Sequence, residues 1–257
     1  MHSEQPLVEK LGAVLDARSV EDLWPLLCDL MAGYGFDRLF FASTKFGAGR
    51  HWGEAQDWLM LTNHVPEVVR SFIGEDLYRE AAKIHTPPGG KPGAYSWSLR
   101  PDRTFEEMGR AERKHRELCD RNGVISGYTL WFPQPSLRSK SVLGLCARPG
   151  LTQQQVDDDW KVFGKEVWVL ANVAQLKLSA LPHPTFGKRL TERQKQVLDW
   201  SADGKTGRDI AEIMSLSLAT VEKHLRQARE ALNVETTAEA VKKAALLNHL
   251  HLAPTSE

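Results

Sequence analysis

The sequence predicts two domains: an α+β N-terminal domain, in which an antiparallel sheet lies between helices, and a smaller all-helical C-terminal domain. Three observations predict it. In the first part of the chain, short segments rich in β-branched and aromatic residues lie among segments of helical periodicity. Two prolines and a glycine crowd into Ser179-Ala-Leu-Pro-His-Pro-Thr-Phe-Gly187, which stops any helix that reaches it. Beyond that break the β signal fades and four short helical segments follow, each opened by a capping residue. The expected domains are therefore 1–178 and 188–257, with 179–187 as the linker.

Taken in order, Asp22 to Tyr34 places Leu23, Leu26, Leu27 and Leu30 on one helical face. Arg38 to Thr44 reads as a strand, and Gly47 and Gly49 mark the turn after it. The loop from Thr86 to Tyr95 is too dense in Pro and Gly for regular structure and is expected to cross the surface, where it has the makings of a lid. A helix is expected over 104–122, started by the capping box Thr104-x-x-Glu107. Tyr128 to Phe132 and Ser141 to Arg148 read as strands, with Pro133 and Pro135 in the turn between them. A long helix follows from Thr152 to Ser179, capped by Thr152-x-x-Gln155, with Val156, Trp160, Phe163, Val167 and Leu170 at helical spacing. In the second domain Thr191-x-x-Gln194, Thr206-x-x-Asp209, Ser217 and Thr236-x-x-Glu239 open the four helices.

Composition narrows the function classes. The 257 residues carry 33 Lys and Arg against 33 Asp and Glu, so any binding to nucleic acid rests on a local patch. The first residues lack the basic start and apolar run of a signal peptide, and the apolar run from Val167 to Ala171 is too short to span a bilayer. Cys28, Cys119 and Cys146 form no C-x-x-C pair, so neither a disulfide framework nor a zinc site is expected, and the expected setting is the cytoplasm. No G-x-S-x-G, P-loop or Cys/His nucleophile arrangement is present, so no catalytic residue is assigned and the chain is not expected to be an enzyme. His64, His85 and His115 are scattered, and Asp157-Asp158-Asp159 sits where acidic residues favour a helix dipole, so no metal is expected.

The chemistry lies after the break. Ile210, Ala211 and Ile213 belong to a short helix, Met214-Ser-Leu-Ser217 makes a tight turn, and Leu218 to Leu232 forms a longer helix, which together make a helix-turn-helix. On the longer helix Val221, Leu225, Ala228 and Leu232 share one face and turn Thr220, Lys223, Arg226, Gln227 and Glu230 outward. Arg and Lys donate to guanine or phosphate, Gln pairs with adenine, and Thr206 sets a hydroxyl at a helix start. Residues 186–257 hold 11 basic and 10 acidic side chains, so charge alone does not single out a DNA-binding domain.

The run Leu190-Thr191-Glu192-Arg193, Val197-Leu198, Trp200, Gly204-Lys205-Thr206, Ile210-Ala211, Thr220-Val221-Glu222-Lys223-His224-Leu225 and Ala231-Leu232-Asn233-Val234 resembles, without a gap, the C-terminal DNA-binding domain of LuxR-type transcription regulators. Gln194 departs from the Glu usual there, and still completes a capping box. The resemblance implies that 218–232 is the recognition helix, with Thr206, Ser217, Thr220, Lys223, His224, Arg226 and Gln227 as DNA-binding candidates, and that the helix after Thr237 helps dimerisation. The first domain resembles, more loosely, the acyl-homoserine-lactone-binding domain of the quorum-sensing branch of the family. Tyr34-Gly35-Phe36-Asp37, Val65-Pro66, Tyr78, Trp97, Ala111-Glu112, His115, Asn122-Gly123-Val124 and Gly127 carry that likeness.

In that family a Trp bonds the lactone carbonyl, a Tyr lies near the amide carbonyl, and an Asp accepts the amide N–H. The resemblance puts Val69, Ile73 and Ala82 at those three positions, with Lys83 in place of the Pro that follows the Asp. Each polar partner left unpaired costs roughly 1 to 3 kcal/mol, so binding of the usual signal is doubtful. Three readings are open. The pocket is filled by its own side chains or too apolar for the signal; it is retuned to a less polar ligand, with Tyr78, Trp97, Gly127, Tyr128 and Trp131 as candidate walls; or the register slips and Glu80 replaces the Asp. Trp97 and Trp131 also suit an ordinary aromatic core.

The expected function is a homodimeric regulator without a cofactor, reading an inverted-repeat DNA site independently of the usual lactone. The expected partners are DNA, a second copy, and RNA polymerase or another LuxR-type regulator, with no membrane. A module that sequesters another regulator of the family is the alternative, motivated by the near-neutral second domain. A phosphorelay receiver is disfavoured, because Arg38 to Thr44 is followed by Lys45-Phe-Gly-Ala-Gly49 with no acidic pair.

Overall fold

The computed structural model describes residues 5–49, 51–53, 57–75, 77, 90–99, 106–183 and 189–250. The chain divides into two compact units, Met1–Leu178 and Ser179–Glu257.

The first unit is an α+β layer structure. Helix α1 spans Leu7–Asp16 and α2 spans Val20–Gly33, the latter capped by Ser19, whose hydroxyl accepts from the Asp22 amide. Strand β1 (Phe36–Thr44) is followed by β2 (Leu59–Thr62), α3 (Pro66–Gly74), β3 (Gly93–Ser96) and a short 3-10 turn, Trp97–Leu99. Helix α4 (Arg110–Arg121), β4 (Gly127–Trp131), β5 (Lys140–Ala147) and the long α5 (Gln153–Ala180) complete the unit's described elements. The strands form one antiparallel sheet in the order β2-β1-β5-β4-β3.

Two faces follow from the register. Leu39 pairs with Leu145, and Leu145 with Tyr128; Phe41 pairs with Leu143, and Leu143 with Leu130. These side chains are buried and make one face of the sheet. On that side α5 lays Trp160 against Tyr128, rings stacked with centroids 3.9 Å apart, and against the edge of Phe36. Asp157 of α5 accepts from Tyr128 Oη at 2.8 Å, from Ser96 Oγ at 2.7 Å and from Gln153 Nε2 at 2.9 Å. Buried Lys10 donates to Tyr34 Oη at 2.9 Å, and Tyr34 donates on to Glu166, a chain of hydrogen bonds joining α1, the end of α2 and α5.

The structure corrects several expectations. Strand β3 lies partly within the stretch expected to be an irregular loop: Gly93 pairs with Trp131 and Tyr95 with Thr129, because β4 offers an open ladder edge that four extended residues can meet. Helix α4 starts at Arg110 behind the extended Gly109, and Glu107 sits in a turn; Thr104 lies outside the described residues. Helix α1, strand β2 and the short α3 are additions to the sequence reading. Ser179 and Ala180, expected in the linker, continue α5. Within the second unit, Asn248 Nδ2 donates to the carbonyls of Ser179 and Leu181, and the His183 amide donates to the Leu247 carbonyl.

In the second unit α6 (Glu192–Ala202), α7 (Gly207–Ile213), α8 (Leu218–Leu232) and α9 (Thr237–Leu246) follow the four caps. Thr191 with Gln194, Thr206 with Asp209 and Thr236 with Glu239 form complete capping boxes, and Ser217 Oγ accepts from the Thr220 amide. Gln194 thus completes the capping box expected of it in place of Glu. Val197, Ile210 and Val221 are fully buried at the centre, with Trp200, Met214, Leu216 and Leu225 packed around them.

Candidate functional site: an apolar cavity and a recognition helix

The other face of the sheet is the floor of a cavity. The ladder places Thr62 opposite Phe40, Phe40 opposite Gly144, and Gly144 opposite Thr129, a single row across four strands. The next row carries Ala42, Val142 and Trp131. All of these line a cavity of about 140 Å³. Its walls come from Val68, Val69 and Phe72 of α3, His115, Leu118 and Cys119 of α4, and Trp52, Trp58 and Trp97. Gly144 keeps the floor low: a Cβ there would meet nothing closer than the Phe40 carbonyl oxygen at 3.7 Å, so its smallness creates open space.

Most polar groups of the lining are spent on the protein itself. Trp97 Nε1 donates to Thr129 Oγ1 at 2.8 Å, Trp58 Nε1 to the Trp52 carbonyl at 2.8 Å, and Thr62 Oγ1 to the Leu39 carbonyl at 2.8 Å. His115 Nε2 lies 3.7 Å from Cys119 Sγ. The lining holds no Asp, Glu, Lys or Arg among the described residues. His64 is half-buried at the rim of β2, and burial, reinforced by the nearby Arg38 charge, pushes its pKa down to about 4. It is therefore a neutral imidazole at pH 7.

The expected pocket residues fall into three groups. Val69, Trp97 and Trp131 line the cavity. Gly127 lies beneath Trp97, where a Cβ would strike the Leu145 carbonyl oxygen and come within 3.1 Å of the indole ring. Tyr128 is a correction: side chains alternate along a strand, so it faces away from Thr129 and Trp131, and it stacks on Trp160 beneath the sheet. Ile73 lies in α3. Tyr78, Ala82, Lys83 and Glu80 lie outside the described residues, as does most of the loop from Thr86. The sequence reading missed Phe40, Trp52, Trp58, His64, Phe72 and His115 as lining residues. For Phe40 the signal was present, since it shares strand parity with Ala42 in β1.

In the second unit α8 presents Lys223 and Arg226 to solvent, with Thr220, His224 and Gln227 half-buried along the helix. Arg226 Nε lies 3.8 Å from Glu230 Oε1, an exposed pair one turn apart. Ser217 caps α8, its Oγ 2.8 Å from Thr220 Oγ1. Thr206 is exposed, and its amide and hydroxyl both donate to Asp209 Oδ2, at 2.8 and 2.7 Å. The turn between α7 and α8 passes through Ser215 in the left-handed region, φ 54°, closed by the Leu216 amide donating to the Ala211 carbonyl at 2.8 Å. His224 Nδ1 is buried with no hydrogen-bond partner.

No helix among the described residues is long and apolar enough to cross a membrane, and no cluster of three or more metal-binding side chains occurs among them. The family model for the autoinducer binding domain matches residues 19–178, and that for bacterial regulatory proteins of the luxR family matches residues 188–244. RpaR of Rhodopseudomonas palustris, a quorum sensing-dependent transcriptional regulator, is 34% identical over 79 residues, covering 31% of this chain and 32% of that protein. The transcriptional activator AnoR of Acinetobacter nosocomialis is 38% identical over 65 residues, covering 25% of this chain and 27% of its own. The matched stretches thus span about a third or less of either relative. Among solved structures, SdiA in complex with octanoyl-rac-glycerol shares the fold, with 16% identity, a TM-score of 0.50 and 96% of each chain covered. An autoinducer-binding domain joined to a helix-turn-helix domain makes this chain a member of the LuxR family of bacterial transcription regulators, and not an enzyme.

Proposed function

We propose that the chain binds an inverted-repeat DNA site as a homodimer in the cytoplasm, without needing an acyl-homoserine lactone. The observation that carries the reading is the cavity wall. Val69 stands where the family's lactone-bonding Trp is expected, and the Trp97 N–H is committed to Thr129. A lactone or amide carbonyl placed there would lose its water and find few donors in return.

The homodimer is supported by α5. Val162, Val169 and Leu176 are 69%, 42% and 65% exposed and recur every seven residues, the pattern of a helix-to-helix seam. DNA reading is supported by the exposed Lys223 and Arg226 on α8. Two copies of α8 would read half-sites about one helical turn apart.

The test is selection of genomic DNA fragments on protein purified from a host that makes no acyl-homoserine lactone, with retention followed against salt. Enrichment of an inverted repeat is expected. DNA retention that appears only after a lactone is added would overturn lactone independence. Unchanged DNA affinity in the Lys223→Ala, Arg226→Ala double variant would overturn the assignment of α8.

A second reading, a pocket retuned to a different small molecule, is favoured by the cavity itself, since the described side chains leave about 140 Å³ open above the sheet.

A further inference from the structure

Shape and chemistry of the cavity narrow what it takes. Its volume, about 140 Å³, matches the roughly 150 Å³ of engineered apolar cavities that admit one benzene ring. Its walls are aromatic on several sides: Phe40 meets Phe72 edge-on at 4.9 Å, Phe72 lies 6.0 Å from His115, and Trp52 meets Trp131 edge-on at 5.9 Å. A flat ring inserted among such rings gains edge-to-face contacts that a flexible alkyl chain does not.

Polarity sets the rest. The described lining offers no charged side chain, and the indole N–H groups of Trp58 and Trp97 are bonded within the protein. A charged ligand would be stripped of water with no counter-charge to receive it. His64 adds an acceptor. Its imidazole lines the cavity and has no hydrogen-bond partner among the described residues, so one ring nitrogen is available to a ligand hydroxyl or N–H.

We infer that the cavity binds a small uncharged aromatic molecule of the phenol class, with its ring among Phe40, Phe72, Trp97 and Trp131 and its hydroxyl on His64. This rests on the reading that the usual lactone is not the occupant. Val69, too small to reach across the site, leaves the ring its space, and Gly144 lowers the floor beneath it.

Calorimetric titration of the full chain with p-cresol, toluene, benzoate and octanoyl-homoserine lactone tests the inference, with ligand-free DNA retention measured on the same preparation. Saturable one-to-one binding of p-cresol is expected, with toluene weaker by about tenfold for want of the hydrogen bond, and with benzoate not bound. His64→Phe keeps the ring and removes the nitrogen, and is expected to bring p-cresol down to the level of toluene while leaving toluene unchanged. Gly144→Leu fills the floor and is expected to abolish both; if it does not fold, as read by circular dichroism, Gly144→Ala and His64→Phe carry the test. Absence of saturable p-cresol binding, equal binding of benzoate, or p-cresol affinity untouched by His64→Phe would each overturn the inference. A protein that holds DNA without ligand and ignores p-cresol would overturn this inference alone, whereas octanoyl-homoserine lactone that binds and switches on DNA retention would overturn lactone independence.

Discussion

The indole N–H of Trp97 is bonded to Thr129 Oγ1, 2.8 Å away, joining the turn after β3 to the middle of β4. Gly127, two residues earlier on the same strand face, is bare beneath the ring. The tryptophan is therefore fixed by its neighbours from below and from the side. Thr129→Val removes the acceptor at nearly constant volume and is expected to destabilise the N-terminal unit by about 1 to 3 kcal/mol, with Thr129→Ser recovering most of it. Urea denaturation followed by tryptophan fluorescence measures this. Equal stability of all three proteins would mean that the bond contributes nothing.

His64 gives the N-terminal unit a pH dependence. Its folded pKa is pushed down to about 4 from the usual 6.5, mainly by burial, so between these values the unfolded chain binds the proton better. Stability is thus full above pH 6.5 and falls as the pH drops towards 4. The His64 contribution to that fall is expected to be about 1 to 3 kcal/mol, allowing for partial solvent screening at the rim. The slope of denaturation free energy against pH in wild type, minus that in His64→Phe, isolates it from the carboxylates. Superimposable slopes would show that the imidazole is not buried in solution.

Ser215 is held at φ 54° in the turn of the helix-turn-helix, where an L side chain meets its own carbonyl. Ser215→Gly is expected to raise stability by about 0.5 to 1 kcal/mol, the relief of strain outweighing the added freedom of the unfolded chain. Ser215→Val should lower it. Calorimetric scans of the second unit's transition settle the order of the three.

Glu230 draws on Arg226 across one turn of α8 and sets a negative charge beside the surface proposed to face DNA. Glu230→Gln is expected to raise DNA affinity about threefold to tenfold and to steepen its salt dependence, because a freed cation displaces a counterion from phosphate. An unchanged salt slope in fluorescence-anisotropy titrations would place Arg226 away from the DNA.

Val169→Glu with Leu176→Glu puts charges into the exposed stripe of α5 without touching the buried face. Sedimentation is expected to show monomers where wild type shows dimers, with the circular dichroism spectrum retained. A variant that still sediments as a dimer would move the proposed interface elsewhere.

Much of this was written within a few residues of itself. A cap joins a hydroxyl to an amide three positions on, so Thr191, Thr206, Ser217 and Thr236 announced four helices without any knowledge of packing. The apolar spacing of Val221, Leu225, Ala228 and Leu232 likewise showed which side of α8 is buried, leaving Lys223 and Arg226 outside. Strand alternation puts Tyr128 and Trp131 on opposite faces, since they stand three apart, so Trp131 lines the cavity while Tyr128 stacks on Trp160. Other features had no local signal. Strand β3 exists because β4 presents an edge, and α4 begins at Arg110 although Glu107 suggests an earlier cap.

The sequence by itself determined the two units and the capped helices of the second. Only the tertiary structure decided what surrounds Val69. The ladder register brings Thr62, Phe40, Gly144 and Thr129 into one row, and the turn after β3 brings the Trp97 N–H to Thr129. Residues so far apart in the chain meet through cross-strand pairing and burial, which depend on the whole sheet and on no short stretch of sequence.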